Sequence, residues 1–199
     1  MTINILIGLT GSVATVKIYN LIRDLETSLD DVEIQIVSTE TALHFYDPTL
    51  IKQKVYRDQD EWKDYTRGDP VLHIDLRNWA DVFLIAPMDA NTIAKMANGL
   101  CDNLLTCILR AWNPKKPVFL APAMNTAMWE HPITSTQLTQ IKSWNFVTII
   151  NPITKLLACG DLGIGAMEET NKIAEMLKES LLKSNIVNQD VGDNSSCAK

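Results

Sequence analysis

The chain opens on a short apolar run, Ile3 to Leu9, that breaks at a glycine turn and then changes period. Val13, Val16, Ile18, Leu21, Ile22, Leu25 and Leu29 follow at helical spacing, so the stretch reads as strand, tight turn and helix. Val32, Ile34 and Ile36 alternate with other residues as in a half-buried strand, which again ends in hydroxyl residues placed to start a helix. Residues 46–70 show no clear period and are expected to form a long connection with a short strand near Val55. Ala80 to Pro87 and Lys116 to Pro122 read as buried strands. Between them lie a helix capped by Asp89 or Asn91 and stopped by Gly99, and another whose face of Leu104, Leu105, Ile108 and Leu109 should be packed. A helix from about Ile133 to Trp144, a strand from Phe146 to Ile150 and a last helix near Asn171 to Lys183 complete the series. Strands separated by helices predict an α/β fold, a doubly wound open parallel sheet with helices on both faces. One domain is expected over residues 1–184, with residues 185–199 as a polar, mobile tail. Ligands of such sheets sit beyond the carboxyl ends of the strands.

Composition narrows the function by exclusion. With 46% hydrophobic and 21% charged residues the chain is ordinary globular material, and no stretch reaches the ~18 to 20 apolar residues of a membrane span. "MTINILIGL" has no basic region ahead of its apolar run, so it reads as a first strand rather than a signal peptide. A soluble, cytoplasmic protein is the expectation. A formal net charge of −6 argues against nucleic acid as partner. Any phosphate bound here must be held by backbone amides. The cysteines Cys101, Cys107, Cys159 and Cys197 form no CxxC pair and the histidines lie far apart, so neither a zinc framework nor a disulfide scaffold is indicated.

Several strand exits carry chemistry. Gly11 and Ser12 offer backbone N–H groups, a hydroxyl and the positive end of a helix, which suits a phosphate, although Ser12 serves equally well as a plain helix cap. Ser38 to Thr41 and Asp89 to Thr92 are similar turns, and three of them on one edge say more than one. "LAPAMNTAMWEHP" leaves its strand with Met124, Met128 and Trp129 around a single amide, Asn125, where a loop is normally polar. Cys159 lies in a segment with Gly160, Gly163 and Gly165 that could move over a ligand. On its residues alone His73, between Leu72 and Ile74, reads as a half-buried structural histidine, with Asp75 and Arg77 on one strand-like face.

"GSVAT", "HFYD", "GDPVLHIDLRNWAD", "IAPMDANTIAKMANGLCDNLLTCILRAW", "PAMNTAMW" and "LACGDLGIGAM" resemble the flavin-dependent cysteine decarboxylase family, over about Ile3 to Met167. The resemblance implies a Rossmann-like flavoprotein with FMN as cofactor, contacted by Gly11, Ser12, Val13, Thr39, Glu40, Thr41, Asp89, Ala90, Asn91, Thr92 and Ala123. It implies catalytic roles for His73, Asn125 and Cys159, and substrate contacts from Asn125, Met128, Leu156, Leu157, Ala158 and Met167. Within the family the motifs point to the coenzyme A branch, which decarboxylates 4′-phosphopantothenoylcysteine to 4′-phosphopantetheine. In that chemistry flavin oxidises the sulfur-bearing carbon to a thioaldehyde, CO2 leaves, and the resulting enethiol is reduced. A homotrimer with sites where subunits meet is implied too. The alternatives are a regulatory subunit that inhibits a protein phosphatase and a decarboxylase of C-terminal peptidyl-cysteine. Two positions depart from the pattern: Asp89 stands where relatives often carry Ser, and Leu156 where Arg is frequent.

Overall fold

Every residue of β4 (Val82–Met88) is buried, as a strand in the middle of a sheet covered on both faces requires. The structure, a computed structural model, describes residues 2–63, 65–157, 160 and 162–193, from residue 184 as backbone only. Around β4 stand β1 (Ile3–Leu9), β2 (Val32–Ser38), β3 (Val55–Arg57), β5 (Val118–Pro122) and β6 (Val147–Ile149), in the order β3-β2-β1-β4-β5-β6. All of these pairings are parallel, with Ile5 of β1 opposite Ile34 on one side and Val82 on the other.

Alternate residues of a strand point to opposite faces, and the two faces bury separate cores. Ile5, Ile7 and Leu9 pack with Leu21 and Leu25 of α1 (Ile18–Ser28) and with Ile173 and Leu177 of α7 (Thr170–Asp193). Leu6, Phe83 and Ile85 pack on the other face with α2 (Leu72–Trp79), α3 (Ala90–Asn98), α4 (Leu104–Ala111) and α6 (Pro132–Lys142) through Leu76, Ile93, Leu105 and Ile141. Each side chain so buried contributes about 1.5–3 kcal/mol. The chain leaves β1 for one face and β4 for the other, so a crevice opens between the two strand ends, the usual ligand position in such sheets.

Several elements differ from the sequence reading. Val13–Lys17 is a 3-10 turn ahead of α1 rather than its first turn. At three residues per turn Val13 and Val16 stack on each other and away from the face of Leu21 and Leu25, and they are 47% and 51% exposed. The segment with His73 is helix α2, not strand-like. Asp75 and Arg77 therefore point apart, and Arg77 Nη1 donates to Asn78 Oδ1 instead (2.8 Å). The exit loop of β5 contains a short helix, α5 (Thr126–Glu130), before α6. The glycine segment is an antiparallel hairpin of β7 (Ile153–Leu156) and β8 (Leu162–Ala166). Helix α7, expected to end near Lys183, continues to Asp193. Gly99 does close α3, at φ +70.

Candidate functional site

The crevice is stitched by Thr10 and Asp89, the residues that follow β1 and β4. Thr10 Oγ1 donates to Pro87 O (2.9 Å) and accepts from the Asp89 N–H (2.8 Å). Asp89 Oδ1 accepts from Thr92 N (2.7 Å) and so caps α3, while Oδ2 accepts from Gly11 N (3.1 Å). The carboxylate is therefore committed to backbone donors on both sides of the switch point. Gly11 has no room for a side chain, since a Cβ there would stand 2.7 Å from Thr41 Oγ1. Removing the carboxylate, as in Asp89→Ala, loses the cap (about 1 kcal/mol) and strands the Gly11 N–H (about 1–3 kcal/mol). A loss of about 2–4 kcal/mol in denaturant unfolding is expected. Asp89→Ser keeps a capping oxygen and should lose less.

The crevice holds about 440 Å³. Of the residues picked out in the sequence, Gly11, Ser12, Val13, Asp89, Ala90, Ala123, Asn125, Met128, Leu156, Leu157 and Met167 line it. Thr39, Glu40, Thr41, Asn91, Thr92 and His73 are not among its lining residues. Thr39 and Thr41 touch one another (Oγ1 to Oγ1, 3.2 Å), with Thr41 against Gly11, and Glu40 is held by Arg57 through Nε at 3.1 Å and Nη2 at 2.5 Å. Thr92 is buried within α3. Ala158 and Cys159 lie outside the described residues. Val16, Lys17, Lys155 and Ala166 also line the crevice, and sequence reasoning did not place them there.

Asn125 is the N-cap of α5, its Oδ1 accepting from Ala127 N (2.8 Å). That bond makes Oδ1 the acceptor end of the amide and Nδ2 the donor end. The β7–β8 hairpin clamps this loop: Met124 N donates to Gly165 O (2.9 Å). The contact is possible only because Gly165 has no side chain, since a Cβ there would overlap the Met124 carbonyl oxygen. Gly163 lies similarly tight against Thr126. Met124 and Met128 form part of the wall around Asn125, as the motif led one to expect, but Trp129 does not reach it.

Two cations sit on the rim. Lys17 Nζ and Lys155 Nζ both bind Glu169, at 3.2 and 2.8 Å. The hydrogen bonds from Lys155 and then Lys17 hold the Glu169 carboxyl below the ordinary glutamate range. Two ammonium groups share one carboxylate here, while the Asp89 carboxylate on the same crevice is taken up by backbone donors.

His73 stands at the start of α2, and its Nδ1 is 2.5 Å from Glu61 Oε1. Among the described residues Glu61 is the one charged residue that is buried, and nothing in its aperiodic surroundings marks it in the sequence. Burial and the nearby Glu61 carboxylate push the Cys107 thiol up to about 11, which leaves it the inert cysteine expected.

The Flavoprotein family profile matches residues 1–182. Phosphopantothenoylcysteine decarboxylase of Mus musculus is 48% identical over 186 residues, covering 93% of this chain and 90% of the mouse protein. A solved structure of a cysteine-to-serine mutant of PPC decarboxylase, complexed with pantothenoylaminoethenethiol, has a TM-score of 0.86 at 46% identity, over 91% of this chain and 99% of that one. The FMN binding protein AtHal3 has a TM-score of 0.80 at 47% identity, over 88% and 94% of the two chains. With a parallel sheet, a crevice at its switch point and relatives matched over nearly their whole length, the chain belongs to the flavoprotein family.

Proposed function

We propose that the protein is an FMN-dependent phosphopantothenoylcysteine decarboxylase, which converts 4′-phosphopantothenoylcysteine to 4′-phosphopantetheine in coenzyme A biosynthesis. The observation that carries this is the placement of Asn125. It is one amide in a wall of Met124, Met128 and Leu157, facing a crevice whose other loops are Gly11–Val13 and Asp89–Ala90.

The crevice suits FMN. Gly11, Ala90 and Ala123 keep its sides small, its volume of about 440 Å³ is that of a small-molecule site, and α3 brings its N-terminal end to the crevice at Ala90. When bound, FMN supplies the oxidation of the sulfur-bearing carbon that gives the electrons of the departing CO2 somewhere to go, and the later reduction.

The chain's own residues do the rest. Asn125 donates from Nδ2 to the substrate carboxylate and orients it; a neutral donor avoids the tight charge pairing that would stabilise the ground state over the transition state. Met124, Met128 and Leu157 keep water from the reacting atoms. His73 takes the proton of the substrate thiol, and Cys159 gives the proton that completes the saturated product. A thiol titrating near ~8.5 is protonated at neutral pH and fit for that donation.

His73 is not on the crevice of its own chain, which favours a homotrimer in which one copy's crevice is completed by its neighbour's His73 face. The flavin-binding domain on this reading is residues 1–184, and the compartment is the cytoplasm.

Supplied with 4′-phosphopantothenoylcysteine, the wild type should release CO2 and 4′-phosphopantetheine in equal amounts. Cys159→Ser should still release CO2 but accumulate the enethiol, which lacks the final hydride and proton. Absence of CO2 from the wild type would refute the activity. The saturated product from both proteins at one rate would refute the role of Cys159.

A further inference from the structure

We infer that Glu61 is the positioning residue for His73: its buried carboxylate holds the imidazole by Nδ1 and leaves Nε2 as the nitrogen that accepts a proton. The inference rests on the proton-accepting role of His73 proposed above, and it names what prepares the ring for that role.

A carboxylate inside a protein is costly unless donors meet it. The Glu61 side chain is 6% exposed and that of His73 21%, and their contact is 2.5 Å. Among the described residues His73 is the side-chain hydrogen-bond partner of the Glu61 carboxylate. An ionised carboxylate only accepts, so the hydrogen of this bond belongs to Nδ1. A neutral ring with its hydrogen on Nδ1 carries its lone pair on Nε2, since the two nitrogens exchange roles. Left to itself the ring would populate both tautomers and several orientations.

The backbone on both sides is braced, which a positioning role needs. Glu61 follows a 3-10 turn, Asp58–Asp60, in which Asp60 Oδ2 accepts from Arg57 N (2.8 Å). Asp58 Oδ1 accepts from Leu104 N, the first residue of α4, at 2.9 Å. Helix α2, which carries His73, packs on the same α4. The carboxylate and the imidazole are thus mounted on a common support.

The test has a spectroscopic and a kinetic arm. Long-range 1H–15N NMR on histidine-labelled holoenzyme, recorded where the rings are neutral and assigned with His44 and His131 variants, should show His73 as the Nδ1–H tautomer. Glu61→Leu should move it toward Nε2–H. In steady state, Glu61→Gln should lower kcat for decarboxylation by about 10- to 100-fold with KM little changed, part of the ~10²–10⁴ a general base supplies. Glu61→Asp should recover some of that loss, and in a His73→Asn background Glu61→Gln should have no further effect. A wild-type ring found as Nε2–H, or a Glu61→Gln loss equally large without His73, would overturn the inference. If the wild type released no CO2 while its ring was Nδ1–H, the decarboxylase reading would fall and Glu61's hold on the ring would stand.

Discussion

Asn125→Asp is expected to cut kcat/KM for decarboxylation by about 10³-fold while leaving the protein folded and yellow. Asp caps a helix as well as Asn does, so the bond from Ala127 N that starts α5 survives the change. What goes is the amide donor. A hydrogen bond to a charged group is worth about 1.5–3 kcal/mol, and a carboxylate in its place adds like-charge repulsion against the substrate's own carboxylate. Together these come to about 4 kcal/mol, and each 1.4 kcal/mol is roughly tenfold. Asn125→Ala removes the donor without adding charge. It should lose about 10- to 100-fold in kcat/KM, and it should also lose about 1 kcal/mol of stability with the cap. Kinetics, flavin absorbance and thermal unfolding of the two variants separate the roles. An Asn125→Asp enzyme at wild-type rate would remove Asn125 from the chemistry.

Gly165→Ala should cost about 3 kcal/mol or more in stability and release the flavin. Gly165 has φ +134, a conformation that strains any side chain by about 1–3 kcal/mol. Its Cβ would also overlap the Met124 carbonyl oxygen, and overpacking of this kind costs about 1–3 kcal/mol. Relief requires the hairpin to withdraw, which breaks the bond from Met124 N to Gly165 O and shifts the loop that carries Asn125. Gly160→Ala is the control: φ is +91 but nothing among the described residues lies within 4 Å of its Cβ, so the strain is the expected cost. Denaturant midpoints and bound flavin after gel filtration would show the contrast. Equal midpoints for the two alanine variants would contradict the clamp.

The strands were legible in the sequence because burial on one or both faces leaves an alternating or continuous apolar run that few other elements share. β1 has the predicted limits, and β4 and β5 differ from them by a residue or two. The capping of α3 by Asp89 and its end at Gly99 followed from local backbone chemistry. What stayed hidden depends on contacts between distant segments. Val13 and Val16 look like core positions of a helix, and only the 3-10 geometry turns them to the crevice mouth. The β7–β8 hairpin is glycine-rich where it meets Met124 and Thr126, so its composition reads as a loop. Thr39, Glu40 and Thr41 match a motif yet are not among the crevice-lining residues, and Thr41 stands against Gly11. Glu61 became visible only when its burial and its distance to His73 were known.

On the proposed function, loss of CO2 requires a flavin bound at the β1–β4 switch point. The most direct measurement strips FMN from the purified protein, confirms by circular dichroism that the fold persists, and follows CO2 release from 4′-phosphopantothenoylcysteine as FMN is returned. Release should be absent from the stripped protein and rise with the fraction of sites refilled. Undiminished release from a folded, colourless protein would rule out that requirement.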